Sequence, residues 1–157
     1  MSFFGCAGTE IEASTSVAEG PSRAGDPRIR ASVLLVDCLP DEQELYADFL
    51  RQHGIDSIVM CDAAAAFDVA IAETPRVIVI DLSARGDSLE LIRRLRADNR
   101  TRRATIIAIS GRVFAADVAA ATDAGCEVFL AKPFWPDALL AEIRRALESP
   151  KDAGDAV

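Results

Sequence analysis

Four polar residues each close an apolar run, and between them they hold the groups that phosphoryl chemistry needs. Asp37 ends S-V-L-L-V-D (32–37), Asp81 ends V-I-V-I-D (77–81), Ser110 ends T-I-I-A-I-S (105–110), and Lys132 follows C-E-V-F-L-A (126–131). A carboxylate can attack phosphorus and become an acyl phosphate if something neutralises the charge spreading over the transferring oxygens. A divalent cation held by carboxylates would clamp one side, the Lys132 amine the other, and the Ser110 hydroxyl would donate to a phosphoryl oxygen. Taken singly, each residue has a plainer role. An aspartate after a strand is commonly a turn residue or a helix cap, and a single lysine commonly sits in water. Their shared position at the ends of apolar runs is what asks for a common explanation.

That position follows from the elements around them. Short β-branched runs with almost no polar residue read as strands buried on both faces, as in a parallel sheet. Such sheets bind ligands outside the carboxyl ends of their strands, which is where all four residues fall. A further strand is expected over Ile55–Met60. Helices fill the intervals. Pro40 suits a first helical turn, where its missing N–H is no loss, and Asp41 and Glu42 suit the positive end of the helix dipole. Leu45, Phe49 and Leu50 then mark an apolar face that runs to Gly54. Asp62 opens an alanine-rich helix with Phe67, Ala70 and Ile71 inward, ended by Thr74-Pro75. Asp87 or Ser88 caps a helix with Leu89, Ile92 and Leu95 on one side and Arg93, Arg94 and Arg96 outward, a basic cluster best read as a solvated face. Phe114, Val118 and Ala121 mark a fourth helix stopped by Gly125, and Leu139, Leu140, Ile143 and Leu147 a fifth. Five strands alternating with five helices imply a doubly wound α/β fold with right-handed crossovers.

The 157 residues leave room for one domain of ordinary size. A folded unit is expected over 31–149, between an extension over 1–30 that is too polar and aperiodic to bury a core and a short tail over 150–157. No apolar stretch is long enough to cross a bilayer. With 25 acidic against 17 basic residues and a net charge of -8, the chain lacks the lysine and arginine excess of a nucleic-acid surface. The start of the chain has no basic and apolar secretory segment. Phe3 to Cys6 only faintly echoes a lipoprotein site, so the cytoplasm is the expected compartment. Cys6, Cys38, Cys61 and Cys126 show no C-x-x-C spacing and are expected to be free thiols. His53, in the last turn of the first helix, suits the dipole rather than catalysis.

Residues 32–148 resemble the receiver domain of bacterial response regulators, of the chemotaxis type. The motifs that carry the resemblance are V-L-L-V-D, V-I-V-I-D, I-S-G and L-A-K-P-F, with an A-G-C turn before the last, all in register. The resemblance implies a flavodoxin-like sheet of strand order 2-1-3-4-5. It implies Asp81 as phospho-acceptor, Asp37 as an acidic residue of a Mg²⁺ site, the Ser83 carbonyl completing the metal shell, and Lys132 as the phosphate-binding amine. Ser110 and Phe129 would be the switch pair, although Phe129 alone would read as core. The implied partners are a sensor histidine kinase or phosphotransfer protein and a downstream protein target, with no nucleic acid and no membrane.

Two departures qualify that resemblance. Receivers usually carry a second acid after the first strand, and here Cys38 stands in its place. A neutral thiol is a poor ligand for a hard cation, so Mg²⁺ is expected to bind weakly, with Asp41 as a possible substitute. The loop after Asp81, L-S-A-R-G-D-S, is one residue short and has Arg85 where a proline is usual. The leading expectation is therefore a stand-alone single-domain response regulator, since little chain follows Ser149. The alternative is a pseudo-receiver, a binding module that works without phosphorylation. A phosphatase or flavin protein on a similar sheet is disfavoured, because C-L-P-D-E offers no glycine-rich phosphate cradle.

Overall fold

The computed structural model describes residues 32–84 and 86–149. The extension expected over 1–30, the tail expected over 150–157 and Arg85 lie outside them. Five strands, β1 (Val33–Val36), β2 (Ser57–Met60), β3 (Val77–Asp81), β4 (Thr105–Ser110) and β5 (Val128–Ala131), alternate with five helices. These are α1 (Pro40–Gln52), α2 (Ala63–Glu73), α3 (Ser88–Ala97), α4 (Ala115–Ala124) and α5 (Pro136–Glu148). All strand pairs are parallel, in the order β2-β1-β3-β4-β5, so the expected architecture and strand order are both present.

The apolar runs are runs because the three central strands are covered on both faces. β1, β3 and β4 are buried along their whole length, whereas the edge strand β2 is half-buried and the edge strand β5 is half-buried up to its exposed last residue, Ala131. Alternate residues divide between two cores, as the two-residue period of a strand requires. Leu34, Val36, Ile78, Ile80, Ile106 and Ala108 meet α2, α3 and α4 through Ala66, Ala70, Leu91, Ile92, Leu95 and Ala121. Val33, Leu35, Val77, Val79, Ile107 and Ile109 meet α1 and α5 through Tyr46, Leu50, Leu139, Leu140 and Ile143. Burying each large side chain contributes roughly 1.5–3 kcal/mol.

Local chemistry places the helix ends. Asp62 Oδ1 accepts from Ala64 N and Ala65 N at 2.9 and 3.0 Å, and Asp87 Oδ1 accepts from Glu90 N at 2.9 Å. Each cap satisfies amides that have no partner inside the helix. Gly125 stops α4 with φ 122°, and a Cβ there would lie 2.6 Å from Arg96 Cγ. Both the backbone conformation and the neighbouring arginine therefore demand glycine.

Three expectations fail for tertiary reasons. Phe114 is 71% exposed and only precedes α4, whose buried residues are Ala121 and Ala124. Arg96 is not a solvated member of the basic cluster. It is half-buried and donates to the carbonyls of Gly125, Arg102 and Ala104 at 2.8, 2.8 and 2.7 Å and to Glu127 Oε1 at 3.0 Å. The expectation of free thiols holds for buried Cys126 but not for Cys38 and Cys61, which form a disulfide with their Cα atoms 4.4 Å apart. The cause is strand pairing. Val36 is in register with Met60, so the residues just beyond β1 and β2 emerge side by side although 23 positions separate the two cysteines. Cys6 lies outside the described residues.

Candidate functional site

The carboxyl ends of β1, β3, β4 and β5 meet at one rim, and the four residues expected there arrive by register. Asp81 is opposite Ile109 across β3 and β4, and Ser110 is opposite Ala131 across β4 and β5. The Lys132 N–H donates to Ser110 O at 2.9 Å, which carries the β4–β5 ladder one residue past β5. The Lys132–Pro133 peptide that follows is cis.

Asp81 is 2% exposed and is held from several sides. Its Oδ1 accepts from the amide and the hydroxyl of Ser83 at 2.7 and 2.6 Å, and its Oδ2 from Lys132 Nζ at 2.6 Å. The backbone oxygen accepts from Ala84 N at 3.0 Å and from the Ser88 hydroxyl at 3.3 Å. Ser83 thus belongs to the site, and it reaches the carboxylate with its amide and side chain. Asp37 is 5% exposed and its Oδ1 accepts from Leu39 N at 2.8 Å, while Gln43 of α1 donates to its backbone oxygen.

Glu42 is the site residue that sequence reading assigned only to the helix dipole. Its Oε2 lies 2.5 Å from Lys132 Nζ, so the ammonium is shared between Glu42 and Asp81. Asp41, read chiefly as serving the helix dipole and only as an alternative second acid, is exposed and makes no part of the carboxylate cluster. Successive helical residues are set about 100° apart around the axis, so in this helix only one of the adjacent acids Asp41 and Glu42 faces the rim. The helix is aimed there partly by Tyr46, whose ring stacks on Phe134 of the β5–α5 connection at 5.9 Å. The signal in the sequence was weak, an acid within one turn of the site loop.

Asp37, Glu42 and Asp81 each present a carboxylate oxygen, and the three oxygens lie within 4.8 Å of one another. Three oxygen donors so close suit a hard cation such as Mg²⁺. Without one, the site holds more negative than positive charge. Burial pushes the Asp37 carboxyl above its ordinary range, and the charges of Asp81 and Glu42 add to the rise against the opposing pull of the Leu39 amide and Lys132. Burial works the other way on Lys132, yet its hydrogen bonds to Asp81 and Glu42 outweigh it and hold the ammonium above its usual range. Lys132 is therefore a permanent positive charge at the rim.

Ser110 is 5% exposed, and its Oγ accepts from Arg112 N at 2.9 Å. Phe129, half-buried on β5 opposite Ala108, packs against the core that contains α2, α3 and α4. His53 has its Nδ1 2.8 Å from Phe49 O at the end of α1.

Comparisons with known proteins agree with this geometry. Residues 33–144 match the family described as "Response regulator receiver domain". Among characterised relatives, the chain is 35% identical over 128 residues to the regulatory protein VirG of Agrobacterium fabrum, covering 78% of this chain and 49% of that protein. It is 28% identical over 125 residues to the DNA-binding response regulator MtrA of Mycolicibacterium smegmatis, covering 79% of this chain and 54% of that protein. The chain thus spans about half the length of these relatives. The receiver domain of a Pseudomonas aeruginosa sensor histidine kinase, solved with a magnesium ion coordinated in its active site cleft, superposes with a TM-score of 0.70 at 28% identity, covering 74% of this chain and 97% of that one. The Vibrio cholerae chemotaxis protein CheY4 shares the fold with a TM-score of 0.70 at 21% identity, covering 75% of this chain and 99% of that one.

Proposed function

Since the chain belongs to the family of response regulator receiver domains, we propose that it accepts a phosphoryl group on Asp81 from a phosphohistidine and thereby changes its contacts with a protein target. The observation that carries this reading is the shared ammonium, with Lys132 Nζ 2.6 Å from Asp81 Oδ2 and 2.5 Å from Glu42 Oε2 beside a second buried acid, Asp37. A carboxylate oxygen of Asp81 forms the bond to phosphorus while the phosphorus–nitrogen bond of the donor breaks, and the imidazole leaves with the electron pair. Lys132 then moves its hydrogen bonds toward the new phosphoryl oxygens, where they meet more negative charge than before.

Mg²⁺ is the cation these donors suit. Asp37, Asp81 and Glu42 would hold it together with the Ser83 carbonyl, and bound there it would neutralise charge on the transferring phosphoryl group. Glu42 supplies a third carboxylate where Cys38 does not, so weak binding caused by Cys38 is partly offset. Ser110 and Phe129 act as the switch pair, the hydroxyl whose oxygen accepts from the Arg112 amide donating its hydrogen to a phosphoryl oxygen. The partners are a sensor histidine kinase or phosphotransfer protein upstream and a protein target downstream, in the cytoplasm. Among the described residues no helix is long and apolar enough to cross a membrane.

The pseudo-receiver reading draws on a different observation. Both oxygens of Asp81 already accept hydrogen bonds, two of them from Ser83, which lowers the nucleophilicity of the carboxylate. Incubation with a small-molecule phosphodonor and Mg²⁺ followed by intact-mass measurement decides between them. The acceptor reading expects one added phosphoryl group that Asp81→Asn removes. An unchanged mass at saturating donor and metal would leave the binding module.

A further inference from the structure

The bond between Cys38 and Cys61 lies at the edge of the acidic site. Cys38 directly follows Asp37 and precedes Leu39, whose amide holds the Asp37 carboxylate at 2.8 Å. Cys61 directly precedes Asp62, the cap of α2, and the first residue of that helix, Ala63, lines a surface cleft together with Gly86 of the loop that leaves Asp81. One covalent link therefore joins two loops of the rim, the one between β1 and α1 that carries Asp37 and the one entering α2, whose Ala63 lies beside Gly86 of the loop after the acceptor. Asp37 N also donates to Met60 O at 2.9 Å, so the link runs beside the last hydrogen bond between the two strand ends.

Both cysteines are half-buried, unlike the free thiol of Cys126, which is sealed in the core. A disulfide at a partly exposed rim is within reach of a reductant. In the cytoplasmic setting proposed above, such bonds are characteristically transient and redox-sensing rather than permanent.

We propose that Cys38 and Cys61 form a reversible thiol–disulfide site, and that its oxidised state holds the Asp37 loop in the geometry that binds the divalent cation. The co-reactant is a dithiol in one direction and a small-molecule disulfide in the other. In reduction, a thiolate of the dithiol attacks one sulfur and forms a mixed disulfide while the other sulfur leaves as a thiolate and takes up a proton. The second thiol of the reductant then displaces the remaining cysteine, leaving two protein thiols and an oxidised reductant, a transfer of two electrons and two protons. Oxidation by a small-molecule disulfide reverses this and releases two small thiols. With the bond open, Asp37 keeps the Leu39 amide and the β1 ladder but loses its covalent tie to β2 and α2. A carboxylate that must be ordered at the moment of binding holds metal less tightly than one already in place. The gating half of this inference rests on the metal site proposed above. The bond itself does not.

The test uses the full chain, alkylated under denaturing conditions before and after treatment with dithiothreitol and then weighed intact. Two labels, at Cys6 and Cys126, are expected on the oxidised protein and four after reduction, with glutathione disulfide returning the count to two. Mg²⁺ affinity is measured by titration calorimetry on both forms. Reduction should weaken it about tenfold, the lower end of the range in which groups supporting a metal ligand act. Cys61→Ser should bind as the reduced form does and ignore the dithiol. Four labels on protein treated with glutathione disulfide would overturn the bond, and equal Mg²⁺ affinity in the two forms would overturn the gating. Absence of Mg²⁺ binding in both forms, with a normal shift from two labels to four, would defeat the metal site and the gating together while leaving the reversible bond standing.

Discussion

Among the described residues, Lys132 and Arg96 are the two half-buried cations that tie distant parts of this chain together, and they sit at opposite ends of the sheet. Arg96, at the amino ends of β4 and β5, reaches three carbonyls and one carboxylate, Glu127. Three of its four hydrogen bonds go to carbonyls, groups that cannot ionise, and only one to a carboxylate. Lys132, at the carboxyl ends, meets two carboxylates with a third close by. One ammonium cannot balance three acids, so this end retains a demand for positive charge. The same type of contact therefore serves different ends. A saturated cation closes a structure, whereas an undersupplied one leaves a site that a metal ion and a phosphoryl group can complete.

The sharpest way to break that comparison is at the acceptor. Asp81→Asn should abolish phosphoryl labelling while leaving the circular dichroism spectrum intact, because the amide keeps the shape and can still accept from Ser83. Labelling that survives in this variant, read by intact mass, would mean that the undersupplied end is not where the chemistry happens.

Arg96→Ala should cost about 2–3 kcal/mol in a urea melt, since it removes the hydrogen bonds to the part-buried carbonyls of Gly125 and Ala104. It should leave Mg²⁺ affinity unchanged. A loss under about 0.5 kcal/mol, the size of an ordinary surface substitution, would show that the saturated end is ornamental to stability.

Glu42→Gln should weaken Mg²⁺ binding about tenfold, because it removes the charge of one of the three carboxylates that would hold the cation. Cys38→Asp in that background should restore most of the loss, because it returns an acid to the loop, whereas Cys38→Ser should not. Calorimetry on the three variants separates charge from the disulfide, which both Cys38 variants lack.

The smallest effect concerns the metal-free site. The carboxyl of Asp37 titrates above its unfolded value of 3.8, so the folded state binds that proton more tightly than the unfolded chain does. The associated stability is present below pH 3.8 and is lost as pH rises through the folded pKa. At neutral pH the ionised group is thus a net cost. Asp37→Asn should raise stability in chelator at pH 7, and the gain should shrink as the pH falls toward 3.8. Denaturation midpoints across that range check it, and a destabilised variant at pH 7 would contradict the sign.

Much of this protein is determined along the chain itself. A strand buried on both faces needs consecutive apolar residues, so V-L-L-V, V-I-V-I and T-I-I-A-I announce both their elements and the rim where each must end. Asp37, Asp81 and Ser110 were legible because each closes such a run, and Lys132 because it follows the apolar edge strand V-F-L-A. Asp62, Asp87 and Gly125 were legible because helix ends need local hydrogen bonds and local backbone freedom. Glu42, Arg96 and the Cys38–Cys61 bond were not. Glu42 meets Lys132 across 90 positions, Arg96 meets Gly125 across 29, and the cysteines are 23 apart. A helix face, a buried guanidinium and a sulfur pair acquire meaning only from what stands opposite them. Local propensity carries no information about a partner that the packing of other elements brings into reach, and there the tertiary structure alone decided.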